Sequence, residues 1–272
     1  MTTQLPTYFI SHGGGPWPYM DGPFRENFRL LEASLKAIAA EQPIRPRAVL
    51  MISGHWEEQG FDVMASPRPP MIYDYGGFPA HTYEIVYPAP GDPVLAARVQ
   101  ALITAAGLPS QLDAERGFDH GAFSTLFPMY PEADVPVVQV AMQHGYSPAA
   151  HLALGRALSS LRDEGVLIIG SGLSYHNLRA FGPAGGQASA AFGNWLDQTM
   201  ELPGAERSER LLHWDQAPAA RIAHPREDHL VPLFVAAGAA EGERAERIYH
   251  ETDFMGALTV SSYRFGELAT TA

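Results

Sequence analysis

Residues 166–176 read Val166-Leu167-Ile168-Ile169-Gly170-Ser171-Gly172-Leu173-Ser174-Tyr175-His176, an aliphatic run that ends in small residues and then a histidine. The same grammar occurs twice more: Thr7 to Ile10 leads through Ser11 to His12, and Ala48 to Ile52 leads through Ser53-Gly54 to His55. A fourth apolar run, Val135 to Met142, is followed by His144. Continuous runs of this length suit strands covered on both faces, as in a parallel sheet.

Helical signals lie between them. Phe24, Phe28, Leu31, Leu35 and Ile38 share one face of a helix spanning about 24–42. Asp92-Pro93 and Ser147-Pro148 each pair an N-cap residue with a first-turn proline, and Gly107 and Gly165 stand where the stops belong. Strands alternating with helices predict one α/β domain over residues 1–272, with a central, mostly parallel sheet. In such sheets ligands bind outside the carboxyl ends of the strands, so His12, His55 and His176 are expected to meet there.

Composition narrows the chemistry. The 272 residues hold 11 histidines and no cysteine, which excludes disulfides, thiolate metal sites and a cysteine nucleophile. A single lysine, Lys36, leaves little room for Schiff-base or P-loop chemistry. The formal net charge of −12, without a basic run, argues against nucleic acid as a partner. Met1 to Gln4 lacks the pattern of a signal peptide and no apolar stretch approaches a membrane span, so the expectation is a cytoplasmic protein with no membrane partner.

Two other segments are built around histidine. His120 stands between glycines in Gly117-Phe118-Asp119-His120-Gly121, and His224-Pro225-Arg226-Glu227-Asp228-His229 packs two histidines and two carboxylates together. Pro232 reads as the first residue of a helix that His229 enters. On one regular helix, residues five apart are separated by about 140°, so one ion would not take both His224 and His229. His229 is the better ligand, with His224 beside it or touching substrate. His81, His144, His151, His213 and His250 read as ordinary surface or core residues. Residues 67–90, dense in Pro, Gly and Tyr, read as a long ordered loop or lid.

Further motifs complete the pattern: Tyr73-Asp74-Tyr75-Gly76-Gly77-Phe78-Pro79, Tyr87-Pro88-Ala89-Pro90-Gly91, Met129-Tyr130-Pro131, His176-Asn177-Leu178-Arg179 and Ser262-Tyr263-Arg264-Phe265-Gly266. With the histidine segments above, they resemble the class III extradiol ring-cleavage dioxygenases. The branch is similar to the DOPA 4,5-dioxygenases, related to the catalytic subunit of protocatechuate 4,5-dioxygenase.

The resemblance implies Fe(II) in the active enzyme, with zinc common in isolated proteins, bound by His12, His55 and His229. It implies His176 as catalytic acid/base, His120 against substrate or oxygen, and conversion of a small aromatic diol and O2 into a muconic semialdehyde. Protocatechuate-type relatives use glutamate as third ligand, which leaves Asp228 or Glu227 as alternatives to His229. Trp17, Trp56 and Phe78 are candidate walls for a flat ring, and Arg179 and Arg264 candidate receivers of a substrate carboxylate. The alternatives are a metal-binding, non-catalytic protein on the same fold and a serine hydrolase using His12-Gly13-Gly14-Gly15 as an oxyanion loop. The hydrolase needs a G-x-S-x-G elbow, which the chain lacks.

Overall fold

The computed structural model describes residues 4–268; Met1, Thr2 and Thr3, most of the stretch weighed above for a leader, lie outside them. Its eight strands are β1 (Thr7–Ser11), β2 (Ala48–Glu58), β3 (Val63–Met64), β4 (Leu112–Asp113), β5 (Val137–Gln143), β6 (Val166–Gly172), β7 (Ala245–Phe254) and β8 (Leu258–Phe265). They form one sheet in the order β4-β3-β5-β2-β6-β1-β8-β7. The four runs read from sequence are its parallel centre, β5-β2-β6-β1. Every residue of β1 and β6 is buried, as a strand with helices on both faces requires.

The edges are antiparallel where they meet this centre: β8 pairs with β1 and β7 with β8 on one side, and β3 pairs with β5 on the other. These edge strands were not foreseen. Strand β7, Ala-Glu-Arg-Ile-Tyr-His-Glu-Thr-Asp-Phe, is heavily charged and half exposed, so no apolar run marks it.

Nine helices occur among the described residues: α1 (Pro23–Glu26), α2 (Arg29–Glu41), α3 (Pro93–Ala105), α4 (His120–Met129), α5 (Pro148–Leu158), α6 (Gly186–Met200), α7 (Gly204–Leu212), α8 (Ala220–Ala223) and α9 (Val231–Ala239). The helix expected over 24–42 breaks at Asn27–Phe28 into α1 and α2, and Phe28, Leu31, Leu35 and Ile38 are buried as its stripe predicted. Burying each such side chain contributes roughly 1.5–3 kcal/mol. Asp92 and Ser147 cap α3 and α5 through the backbone N–H groups of Leu95 and Ala150, at 2.9 and 3.3 Å. Helices α4 and α9 cover opposite faces of the sheet centre. Gly170 lies against the Pro232 carbonyl at the start of α9, while the next residue, Ser171, donates its hydroxyl to the Gly121 carbonyl in α4 at 2.6 Å. Successive strand residues point to opposite faces.

Candidate active site

Five histidines arrive at the carboxyl ends of the parallel strands. His12 follows β1, and its N–H donates to the Gly172 carbonyl at the end of β6, at 3.0 Å. His55 lies within β2, which runs beyond the Ile52 where the sequence reading ended it. Pairing with β5 jumps from Ile52↔Val140 to Glu57↔Met142, and the surplus residues of β2 bulge out and carry His55 with them. His120 opens α4 behind its N-cap, Asp119, whose Oδ1 accepts the Ala122 N–H at 3.2 Å.

His229 is brought over β6 by its own backbone, because its carbonyl accepts the Leu173 N–H at 2.9 Å. That close approach requires Gly172, where a Cβ would lie 2.1 Å from the His229 carbonyl oxygen. His176 follows β6 and stacks on His229, with ring centroids 3.4 Å apart and planes 17° apart.

Three of these rings converge through one nitrogen each. His55 Nε2 lies 3.3 Å from His12 Nε2 and 3.1 Å from His229 Nε2. Two ligand nitrogens about 2.1 Å from one ion and about 90° apart stand about 3.0 Å from each other, so the spacing fits a cation shared by the three. Without one, the buried Nε2 atoms have one another as their nearest polar partners. The buried Nδ1 of His12 has no hydrogen-bond partner among the described residues either, so this imidazole is not held as a protein-satisfied core group. Burial, then repulsion from neighbouring imidazoles, pushes the pKa of His12 and His229 well below the usual value, which keeps both rings neutral as ligands must be.

Carboxylates flank the cluster. Asp74 turns its side chain inward from the 67–90 segment; Oδ2 sits 3.1 Å from His55 Nδ1 and Oδ1 sits 2.9 Å from His120 Nδ1. Burial opposes charge on Asp74, but hydrogen bonds from His120 and His55 outweigh it and hold the carboxyl far below its ordinary range. Burial likewise opposes charge on His55, yet the Asp74 hydrogen bond and the Asp119 and Asp74 charges raise its pKa. Asp228 lies on the Nδ1 edge of His229, away from the convergent Nε2 atoms, with Oδ1 accepting the His229 backbone N–H at 2.9 Å. Glu227 pairs with Arg221 at 2.6 Å.

His176 is different, because it opens on a cleft of about 500 Å³ lined also by Asn177, Leu178, Arg179, Pro225, Arg226 and Asp228. Burial, then the His55 and His120 imidazoles, lowers its pKa to about 4. Arg226 in this lining pairs with Glu57, whereas Arg179 is exposed and forms no ion pair among the described residues. A larger cleft of about 700 Å³, around Trp195, Arg210 and His213, shares no residue with the histidine cluster.

The other residues singled out from sequence have partners of their own. Trp17 is fully buried, stacks on Phe28 with centroids 5.1 Å apart, and donates its indole N–H to the His12 carbonyl at 2.8 Å, so it supports His12 from behind. Trp56 packs under the Arg116 guanidinium at 4.8 Å. Phe78 covers the loop after His12, and Tyr75 stands between it and His120, with centroids 5.4 and 5.9 Å away. His224 is fully buried against Phe192, with Nε2 3.0 Å from the Ser174 carbonyl and Nδ1 without a hydrogen-bond partner among the described residues, so it is packed in the core and does not line the cleft on which His176 opens. Arg264 pairs with Glu41 and Glu246 and lies opposite Tyr8, four residues before His12 and about 13 Å down the strand.

Asp74 and Tyr75 were the residues missed; both stand in the quoted Tyr-Asp-Tyr-Gly-Gly-Phe-Pro motif, but nothing local says where they point. The hydrolase alternative gains no nucleophile. Ser53 and Ser171 at the strand ends are buried, with hydroxyls donating to Asp119 and the Gly121 carbonyl.

An α/β sheet that gathers imidazoles around one point offers the donor set of a metal-dependent enzyme. The chain belongs to the family of the catalytic LigB subunit of aromatic ring-opening dioxygenases, which it matches over residues 6–266. It is similar to a 4,5-DOPA dioxygenase extradiol of Beta vulgaris, 39% identical across 95% of this chain and 96% of that protein. A 4,5-DOPA dioxygenase extradiol of Escherichia coli K12 is 33% identical across 97% of this chain and 96% of that protein. A crystal structure of an uncharacterized Escherichia coli K12 protein superposes with a TM-score of 0.76 at 29% identity, covering 96% of this chain and all of that one. The chain is thus an extradiol aromatic ring-opening dioxygenase.

Proposed function

We propose that this enzyme inserts O2 into the ring of a catechol, beside the diol, to give a muconic semialdehyde, with one Fe(II) held by His12, His55 and His229. The observation that carries this reading is the convergence of three Nε2 atoms beside a fourth histidine that faces an open cleft. Imidazole donors suit iron and zinc alike, but zinc has no redox chemistry, so O2 insertion selects iron. Held by these three residues, the metal would supply Lewis-acid and redox chemistry to the diol and O2.

The chain's own residues do the rest. His176, neutral near pH 7, accepts a proton from a catechol hydroxyl and returns it when the ring opens. The stack of His176 on His229 sets that base against the metal pocket. Neutral imidazoles at His12 and His229 add no negative charge, so the site favours a catecholate. Trp17 fixes the His12 backbone, and Tyr75 walls the His120 side. Arg179, an exposed guanidinium lining the cleft, receives a carboxylate on the substrate's side chain, consistent with a DOPA-like catechol.

The test is to load the protein anaerobically with Fe(II), admit oxygen, and follow O2 uptake and the coloured semialdehyde across a panel of catechols. Turnover of carboxylate-bearing catechols is expected. A fully metallated protein that consumes no catechol would contradict the proposal. A metal-binding protein without catalysis is the weaker reading, because it leaves a cleft-facing His176 without a task.

A further inference from the structure

The pairing of one carboxylate with two histidines has a consequence for which nitrogens carry protons. An ionised carboxylate only accepts hydrogen bonds. Asp74 lies 3.1 Å from His55 Nδ1 through Oδ2 and 2.9 Å from His120 Nδ1 through Oδ1, and Oδ1 also accepts the His120 backbone N–H at 3.0 Å. Both ring contacts therefore require hydrogen on Nδ1. A neutral imidazole carries one ring proton, so the Nε2 of each ring is left as a bare lone pair.

We propose that Asp74 is a positioning residue that fixes His55 and His120 together in the Nδ1–H form, presenting two Nε2 lone pairs to the site from one loop carboxylate. For His55 this is the form a metal ligand needs, and this part rests on the reading of His55 as a ligand. For His120 it assigns a direction: the ring accepts a proton or hydrogen bond from substrate or oxygen species, and donates only after it has been protonated.

Asp119, the sequence neighbour of His120, cannot take this role. Its Oδ1 accepts the Ser53 hydroxyl at 2.6 Å and the Ala122 N–H at 3.2 Å, and its Oδ2 accepts Arg116 at 2.5 Å. Asp74 comes instead from the irregular segment that also carries Tyr75 and Phe78, so the segment that walls the site also orients its histidines.

Histidine ring ¹⁵N spectra of the zinc-loaded protein read the tautomers directly, with His55→Gln and His120→Gln assigning the signals. The expected result is Nδ1–H for His55 and His120 in the wild type. Nε2–H at His120 would overturn the proposal, and this reading needs no Asp74 variant to fold.

In Asp74→Asn one acceptor becomes a donor, so one ring must change tautomer or lose its partner. Zinc affinity, measured by chelator competition, should fall about 10–100-fold, with partial recovery in Asp74→Glu. Unchanged affinity and unchanged tautomers in a folded Asp74→Asn protein would also overturn it. Neither readout requires catechol turnover, so an inert enzyme would contradict the proposed function and leave this inference standing.

Discussion

His12 and His151 are both buried, yet only one is at rest. His151 Nε2 accepts the Gln143 N–H at 3.2 Å, and its Nδ1 lies 2.8 Å from the Ser147 carbonyl, so both ring nitrogens are satisfied inside the protein. His12 has an unpartnered Nδ1 and an Nε2 that faces another Nε2 at 3.3 Å. Burial alone does not mark a ligand. The mark is convergent lone pairs that the protein itself leaves unanswered.

The sharpest way to break the comparison is to remove one ring of each kind. His12→Ala or His229→Ala should lose metal by at least about 100-fold in affinity and lose turnover with it, as read by metal analysis after dialysis. His151→Gln should keep full metal content. Equal metal loss in the His151 variant would erase the distinction between the two regions.

His176 tests a third kind of histidine, one that faces the cleft. His176→Ala should retain its metal while kcat drops about 10²–10⁴-fold, the usual contribution of a positioned acid/base. Unchanged rates would remove it from proton transfer.

The resting histidine has its own signature in pH. Burial lowers the His151 pKa to about 4, against about 6.5 in an unfolded chain. Between those values the unfolded state binds more protons, so stability is full above pH 6.5 and is lost as pH falls toward 4. The loss from this group is about 3 kcal/mol. Urea titrations at pH 7 and 4.5 should show a smaller acid loss in His151→Gln than in the wild type; identical losses would contradict the assignment.

The smallest effect is expected at the cleft rim. Arg179→Gln should raise KM about three- to tenfold for a carboxylate-bearing catechol and leave an uncharged catechol unaffected. Equal changes for both substrates would show that Arg179 does not receive the carboxylate.

Much of this site was legible because it sits where chain periodicity is strongest. Apolar runs locate β1, β2, β5 and β6, and a parallel sheet delivers the residues after β1, β2 and β6 to one crevice, so His12, His55 and His176 follow from pattern. His229 needed the capping logic of Pro232, and its place over β6 depends on Gly172, a packing fact that sequence shows only as a glycine. Asp74 was illegible as a partner, because its histidines lie 19 and 46 residues away across irregular chain. Trp17 and Arg264 show the opposite error. Both have the right chemistry for a pocket, but one is spent holding His12 in place and the other is paired at the far end of the strand.

The central claim is that three imidazoles, and no carboxylate, bind one ion. A crystal of the iron-loaded protein, with data collected at the iron absorption edge, tests it most directly. A single anomalous peak within about 2.3 Å of Nε2 of His12, His55 and His229 is the predicted result. A peak bound by Asp228 or Glu227 in place of His229, or lying at His120, would contradict it.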